Sequence, residues 1–200
     1  HKNGQFFITG SNRFSLMEGV TESLAGRVSV LECHTLSALE VERHRGKSVS
    51  GAFLGEIIFY GGYPERHVTD LDPQQFFSDY LATYLERDVR RVLNVRNLRD
   101  FGRFLRLAAL RTGQLLNMAS LAADVHVSVP TISSWLSVLE SSGIVRLVEP
   151  YFSNASKRLI KTPKLFFLDT GLACFLCGIR GVQELRQSAL LGQMFETHVL

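Results

Sequence analysis

The chain has 200 residues, enough for one large domain or two small ones, and its 46% hydrophobic and 20% charged residues are typical of an ordinary globular protein. No apolar run approaches the ~20 residues that a membrane-spanning helix needs, so we expect no transmembrane helix and no membrane partner. The formal net charge is only +3, yet residues 98–168 contain nine Lys and Arg residues against four Asp and Glu residues, which favours a polyanionic partner for that part of the chain.

The first predicted element is a short buried strand at residues 6–8, which ends in a small polar turn containing Asn12. A helix around residues 13–24 and a second strand around residues 28–32 follow. Ligands of open α/β sheets gather at the carboxyl ends of such strands. The amide of Asn12 could therefore contact a γ-phosphate and the guanidinium of Arg27 could add positive charge, although a turn Asn and a surface Arg are the simpler interpretation.

The glycine-rich residues 34–67 are predicted as loop and short helix. Residues 45–48 spell RGKS, which contains the Gly-Lys-Ser of a phosphate loop. That loop needs another glycine where Val41 stands, and it needs a preceding strand where this sequence is charged. We therefore reject a nucleotide site at this position.

Two amphipathic helices come next. The first is predicted to begin at Pro73, with Asp72 as its N-cap, and its apolar residues recur every three or four positions up to Val92. The second begins at Leu98 and is predicted to end on Gly113 as its C-cap.

A helix–turn–helix pattern follows these two helices. A short helix with Ser120 as a cap precedes a turn, and Ser128 then caps a helix that runs to Ser142. Strands are predicted at residues 143–151 and 163–169, joined by a turn. A helix pair followed by a hairpin is the winged form of this motif. Two further helices complete the chain, in the segments TGLACFLCGI and ALLGQMFETHVL.

The second helix of the pair has the shape of a recognition helix and an unusually neutral outer face. Its predicted core residues are Ile132, Trp135, Leu136 and Leu139, and its predicted exposed residues are Pro130, Thr131, Ser133, Ser134, Ser137 and Ser141. Direct base reading relies on Arg, Lys, Asn and Gln, none of which occurs between Val129 and Ser142. We expect no base-specific reading, whereas the hydroxyls of Thr131 and Ser134 can contact phosphates.

The wing has the opposite character. Four cations lie within eight residues there: Lys157, Arg158, Lys161 and Lys164. They predict a strip that contacts phosphates, and the alternative is a solvated basic hairpin or one that pairs with another domain of the same protein.

Cysteines and carboxylates predict no further site. Three cysteines without a secretion signal favour a reducing, cytoplasmic location, and the CFLC spacing of Cys174 and Cys177 has no second Cys or His pair, so we expect buried helix cysteines and no metal. Glu86 and Asp88 lie among arginines on a salt-bridged helix face. Glu196 is a lone acid on an apolar helix, and one carboxylate does not make an active site.

Taken in order, the segments FFITGSN, SLAGRVSVLE, GGYPE, YLATYLERDVRRV, KRLIKTPKLFFLDTGL and GQMFETHV make the chain similar to a known family. It resembles the prokaryotic AAA-type ATP-binding proteins whose C-terminal module is called a domain of unknown function. The resemblance extends over nearly the whole sequence. It implies an ATPase core, then a winged helix, then a domain similar to restriction-type nucleases.

The resemblance also implies roles for a few residues. Asn12, with Ser11, resembles the polar sensor that responds to the γ-phosphate, and Arg27 resembles an arginine that contacts phosphate. Glu196 resembles the first acid of the nuclease-like domain and is the one catalytic candidate here. The phosphate loop and the Mg²⁺-binding acidic strand would precede His1, so this chain is expected neither to bind ATP well nor to hydrolyse it.

The sequence as a whole thus predicts a mainly α fold with short β elements. The expected order is the end of an α/β ATPase core (1–50), a helical linker (51–112), a winged helix–turn–helix (113–180) and the start of a nuclease-like domain (181–200). The expected function is that of an AAA-type ATP-binding protein that uses ATP and Mg²⁺ at full length and acts on DNA through the wing, as a homo-oligomer. The alternative is a non-enzymatic winged-helix module that docks on DNA or on a protein.

Overall fold

The structure is a computed structural model that describes residues 29, 31–46, 51–69, 71–84, 98–151 and 162–200. The chain divides into two compact units, His1–Cys33 and His34–Leu200, and every helix and strand below belongs to the second. The predicted strand at 6–8 and helix at 13–24 lie outside the described residues. The strand predicted at 28–32 is not seen at its described positions 29, 31 and 32, which have no regular secondary structure.

Three helices form the region that was predicted as loop and short helix: α1 (Ala38–Arg45), α2 (Gly51–Tyr60) and α3 (Glu65–Val68). A capping box begins α1, because Ser37 Oγ accepts from Glu40 N and Glu40 Oε2 accepts from Ser37 N. The prediction of loop and short helix missed the length of α2, which is a ten-residue helix in a segment with several glycines. Gly55 lets this helix approach Arg186, whose Nε lies 3.1 Å from where a Cβ would stand.

The two amphipathic helices are present as α4 (Pro73–Tyr84) and α5 (Leu98–Ala109). The predicted start of α4 is confirmed, since Gln75 N donates to Asp72 Oδ2 over 3.0 Å. Its predicted continuation to Val92 lies outside the described residues. Gly113 does not cap α5: the helix ends at Ala109 and is followed by a turn at residues 110–113. Gly113, at φ 76°, instead donates to Leu165 O over 2.7 Å.

A helix pair follows, α6 (Met118–Val125) and α7 (Val129–Ser141). Ser128 caps α7 as predicted, accepting from Thr131 N. The predicted cap of α6 was wrong, because Asn117 is the N-cap and its Oδ1 accepts from Ser120 N over 2.9 Å. Asn is as good an N-cap residue as Ser, so the two candidates were not separable by type.

A small antiparallel sheet packs against this helix pair. Its strands are β1 (Gln114–Leu115), β2 (Val145–Val148) and β3 (Lys164–Phe167), in the spatial order β1-β3-β2. The central strand β3 aligns Phe167 with Val145 and Lys164 with Val148. Both strands of the predicted hairpin are therefore confirmed, at slightly shorter lengths.

The chain ends in α8 (Thr170–Leu176), α9 (Val182–Gln187) and α10 (Leu191–Val199). The short α9 was not predicted. One hydrophobic core cluster joins residues from α2, α4, α5 and every later helix. The fold is mainly α with short β elements, as predicted, although the third strand β1 was not predicted. Among the described residues no helix is long and apolar enough to cross a membrane.

Candidate functional site

The inner face of α7 is held in the core by aromatic contacts. Ile132 and Leu139 are fully buried, and the Trp135 ring lies 5.2 Å from the ring of Phe101 and 5.3 Å from that of Phe104. Edge-to-face and tilted aromatic packing of this kind fixes a helix in rotation as well as in position. The predicted core face of α7 is thereby confirmed. On the predicted outer face, Pro130, Ser133, Ser134 and Ser137 are exposed, whereas Thr131 and Ser141 are half-buried.

The outer face of α7 has few free hydrogen-bonding groups. Ser137 Oγ donates to Ser133 O over 3.0 Å, and the hydroxyls of Ser128 and Thr131 share a 2.8 Å hydrogen bond at the start of the helix. Hydroxyls that bond to their own helix are poor readers of base edges. Thr131 is half-buried, whereas Ser134 is exposed and is the better placed of the two for a phosphate.

The predicted basic strip is only partly described. Lys157, Arg158 and Lys161 lie outside the described residues, whereas Lys164 begins β3. Its ammonium forms an ion pair with Glu196 Oε1, and both side chains are about half exposed, at 41% and 48%. The structure therefore brings together two residues that the sequence assigned to separate functions, phosphate contact and catalysis.

A buried hydroxyl pair joins the sheet to α10 next to this ion pair. Thr197 Oγ1 donates to Gln193 O over 2.7 Å, so the 2.9 Å contact between Thr197 and Thr112 has the Thr112 hydroxyl as donor. Thr112 Oγ1 in turn accepts from Phe167 N over 3.2 Å. The chain of hydrogen bonds fixes α10 against β3, which places Glu196 beside Lys164.

Other exposed cations were not predicted as site residues. Arg146 on β2 is exposed, as are Arg103 and Arg106 on α5. Arg111 is occupied by Asp124, at 2.5 Å. An exposed Arg on a strand is hard to recognise as a site residue from sequence, because the residues near it in space come from distant segments.

A second feature, also missed by the sequence reasoning, is a buried carboxylate at the start of α8. Asp169 is 5% exposed; its Oδ1 accepts from Leu172 N over 2.8 Å and its Oδ2 accepts from Gly62 N over 2.7 Å. Burial raises the pKa of this carboxyl to about 6, although the backbone donors at Gly62, Leu172 and Gly171 pull it down. Asp169 thus ties the loop after α2 to α8.

Two glycines make that link possible. Gly61 has φ 72°, and a Cβ there would collide with the Asp169 carboxylate; at Gly171 a Cβ would lie 2.7 Å from the carbonyl group of Tyr60. The GGYPE and LDTGL segments are therefore in direct backbone contact. The glycines of these two segments are visible in the sequence, but a single sequence does not show that the two segments are in contact.

A cleft of about 350 Å³ opens beside Asp169. Its polar lining includes His34, Arg146, Asp169, Thr170, Thr197 and His198. Burial lowers the pKa of His198 from its ordinary value, so this ring is neutral near pH 7. Among the described residues no group of three or more His, Cys, Asp or Glu side chains could hold a metal ion.

Burial favours the neutral thiol form of Cys174 and Cys177. Cys174 is buried and Cys177 is half-buried, and burial raises the pKa of Cys177 to about 11 and that of Cys174 further. Thiols held in the neutral form are weak nucleophiles and weak ligands. The expectation of buried helix cysteines is confirmed for Cys174 and holds in part for Cys177.

The residues assigned to nucleotide contact, Ser11, Asn12 and Arg27, lie outside the described residues.

The chain is similar to two mycobacterial proteins. It is 33% identical over 199 residues to "Uncharacterized protein Rv2008c" of Mycobacterium tuberculosis (strain H37Rv) and, to the same extent, to "Uncharacterized protein Mb2031c" of Mycobacterium bovis. The alignment covers 98% of this chain but 43% of each relative, so the chain spans less than half of their length. No solved structure matches it significantly. A family model matches residues 52–183, and the chain belongs to that family, described as "Domain of unknown function (DUF8612)".

Proposed function

We propose that this chain is part of an AAA-type ATP-binding protein in which a winged helix holds nucleic acid by its phosphates without reading its bases. The observation that carries the winged-helix part is the order α5-β1-α6-α7-β2-β3 with the sheet order β1-β3-β2. A helix pair backed by a small antiparallel sheet, with a hairpin after the second helix, is the arrangement of that motif.

The distribution of charge supports phosphate contact over base reading. The exposed cations Arg103, Arg106 and Arg146 lie on elements of this unit, and the sequence places further cations between β2 and β3. The outer face of α7 offers hydroxyls and no amide or guanidinium. Phosphate contacts hold any sequence equally well, whereas base contacts need the groups that α7 lacks.

The ATP-binding part rests on the resemblance of the N-terminal segments. In the whole protein Asn12, with Ser11, would respond to the γ-phosphate, Arg27 would supply positive charge, and ATP would bind with Mg²⁺. The test is ATP binding by the full-length protein with Asn12→Ala. If Asn12 contacts the γ-phosphate, the variant should show a smaller difference between its affinities for ATP and ADP than the parent protein does. An unchanged difference would contradict this role.

A protein-docking module is the second candidate, and one specific observation favours it. The wing residue Lys164 is already occupied by Glu196, and Val129, at the start of α7, is 41% exposed. A surface that is neutral and partly apolar suits a protein partner better than a polyanion.

DNA binding distinguishes the nucleic-acid function from the protein-docking function. We would measure the affinity for several duplexes of unrelated sequence by fluorescence anisotropy, at low and at moderate salt. Phosphate contact predicts similar affinities for all duplexes and a steep fall with salt. The quadruple variant with Ala at positions 157, 158, 161 and 164 should bind more weakly to every duplex and show a shallower salt slope. No binding at low salt would exclude the nucleic-acid function and leave protein docking.

A further inference from the structure

A buried arginine lies apart from the winged region, on the short helix α3. Arg66 is 5% exposed, and its guanidinium lies over two aromatic rings, 5.5 Å from the centroid of Tyr60 and 5.8 Å from that of Phe76. Its Nη1 donates to Leu71 O. Its Nε is buried without a hydrogen-bond partner. A buried charge with an unused donor is costly, and such groups are normally paired.

A second guanidinium shares the same ring. Arg45, the last residue of α1, lies 5.7 Å from the Tyr60 centroid, and its Nη2 donates to His67 Nδ1 over 3.4 Å. The remaining ring nitrogen, His67 Nε2, donates to Gly61 O over 2.9 Å, which sets the neutral tautomer of this histidine. His44 Nε2 donates to His67 O over 3.1 Å, so hydrogen bonds join His44 and Arg45 of α1 to His67 of α3.

The guanidinium cluster (His44, Arg45, Arg66 and His67) contains two arginines whose positive charges lie close to one tyrosine ring. Among the described residues neither arginine forms an ion pair with a carboxylate. Asp72 attracts Arg66 from a distance, whereas Arg45 repels it. Burial lowers the pKa of His67, and the positive charges of Arg45, Arg66 and His44 lower it further, while the hydrogen bond to Gly61 opposes the shift.

We propose that the guanidinium cluster is a binding site for the phosphate group of a small ligand, with Arg45 and Arg66 as its charged donors. Planar guanidinium groups match a phosphate through paired hydrogen bonds, and a bound dianion would pair with two arginines that make no ion pair with the described carboxylates. The proposed site uses none of the residues that the sequence assigned to phosphate contact in the winged helix or to nucleotide contact.

The test is an NMR titration of the 200-residue chain with inorganic phosphate at constant ionic strength, with NaCl as the replaced salt. We expect saturable shifts of the His67 ring resonances, with a Kd on the order of 1 mM, and a rise in the pKa of His67 when phosphate is bound. Groups facing His67 are Arg45 and His44 from α1, Arg66 from α3 and the Gly61 carbonyl.

Arg45→Gln should weaken phosphate binding about tenfold, since it removes one of two charged donors. Arg43→Gln is the matched control, because Arg43 is exposed on the same last turn of α1 and carries the same charge. The control should bind like the parent chain. Far-UV circular dichroism of both variants shows whether α1 is intact.

Two ligand sources are separated by a second titration with adenosine 5′-monophosphate. Tighter binding than that of inorganic phosphate assigns the site to a nucleotide, and equal binding assigns it to free phosphate. The proposal is overturned if His67 shows no saturable shift with either probe, if the two Gln variants weaken binding equally, or if only duplex DNA shifts His67.

Discussion

At the scale of single residues, Asp169 is the side chain on which the contact between distant segments depends. Its two carboxylate oxygens accept from the backbone of Gly62 and Leu172, 107 and 3 positions away along the chain. The carboxylate is buried, so both hydrogen bonds are made where water cannot replace them. Donors left without an acceptor at such a place cost ~1–3 kcal/mol each.

Asp169→Asn is therefore expected to destabilise the protein by ~1–3 kcal/mol in urea unfolding, since the amide NH₂ faces a backbone donor. Asp79→Asn is the control: Asp79 is exposed and accepts from Gln75 Nε2, so a change within ~0.5 kcal/mol is expected. Equal effects of the two substitutions would show that Asp169 makes no special contribution.

Asp169 also makes stability depend on pH. Its pKa in the folded protein, about 6, lies above the ordinary value of 3.8, so the folded state binds its proton more tightly than the unfolded state does. Stability therefore falls as pH rises from about 4 through about 6, by on the order of 2–3 kcal/mol. The difference in unfolding free energy between the parent chain and Asp169→Asn, measured from pH 4 to pH 7, should be largest near pH 4 and should fall to the ~1–3 kcal/mol given above near pH 7. If the unfolding free energies of the two proteins changed with pH in parallel, the raised pKa of Asp169 would be contradicted.

A glycine pair offers a sharper test of backbone contact. Gly171→Ala puts a Cβ 2.7 Å from the Tyr60 carbonyl group, and we expect a loss of ~2 kcal/mol or more because backbone must move. At Gly102, within α5, a Cβ would meet nothing within 4 Å, so Gly102→Ala should stabilise by ~0.5–1 kcal/mol. Thermal unfolding of both variants measures the difference, and a stable Gly171→Ala variant would rule out the close approach.

At the scale of elements, β3 and α10 are linked by the Lys164–Glu196 ion pair. The Thr112–Thr197 hydroxyl pair links them as well, because Thr112 also accepts from Phe167 N of β3. Exposed ion pairs contribute only ~0–1 kcal/mol, so Lys164 can exchange Glu196 for a phosphate at little cost. If the winged region binds nucleic acid, Glu196 competes with it for Lys164.

Glu196→Gln should accordingly tighten duplex binding several-fold at low salt and steepen the salt slope by ~0.9, the value for one additional phosphate contact. Glu65→Gln, on the exposed face of α3, makes the same change in net charge and should leave the slope unaltered. Anisotropy titrations at three salt concentrations measure both. If duplexes bind and both variants behave alike, the competition is wrong although the phosphate function stands.

Much of this element order could be predicted from periodicity and caps. Ser128 with the apolar spacing of α7 was enough to place that helix, and β-branched residues placed β2. The pairing of Lys164 with Glu196 could not be predicted, because it joins positions 32 residues apart through packing alone. The same holds for Asp169 and Gly62, so the candidate site was predicted residue by residue but not as an arrangement.

At the scale of the whole unit His34–Leu200, one hydrophobic cluster joins segments that the sequence divided at 113 and 181. Phe104 of α5, Trp135 of α7 and Met194 of α10 all belong to it, each at most 6% exposed. Those domain divisions stay predictions, but their apolar faces share one core. Elements that share a core are expected to unfold together.

Fluorescence of Trp135, the single tryptophan, and far-UV circular dichroism should therefore show coincident urea transitions. Phe104→Ala, which empties a fully buried position next to that ring, should lower the unfolding free energy by ~3–5 kcal/mol in both signals. Transitions at different urea concentrations would mean that α6, α7 and the sheet unfold apart from the other helices.

The burial of the cysteines has a practical consequence for spectroscopy. Of the three thiols in the chain, Cys174 and Cys177 are buried or half-buried, whereas Cys33 is exposed at the boundary between the two compact units. A maleimide reagent near pH 7 should therefore modify one position in the native protein and three after unfolding. A dye placed on Cys33 therefore labels one defined position of the native protein without engineering a cysteine.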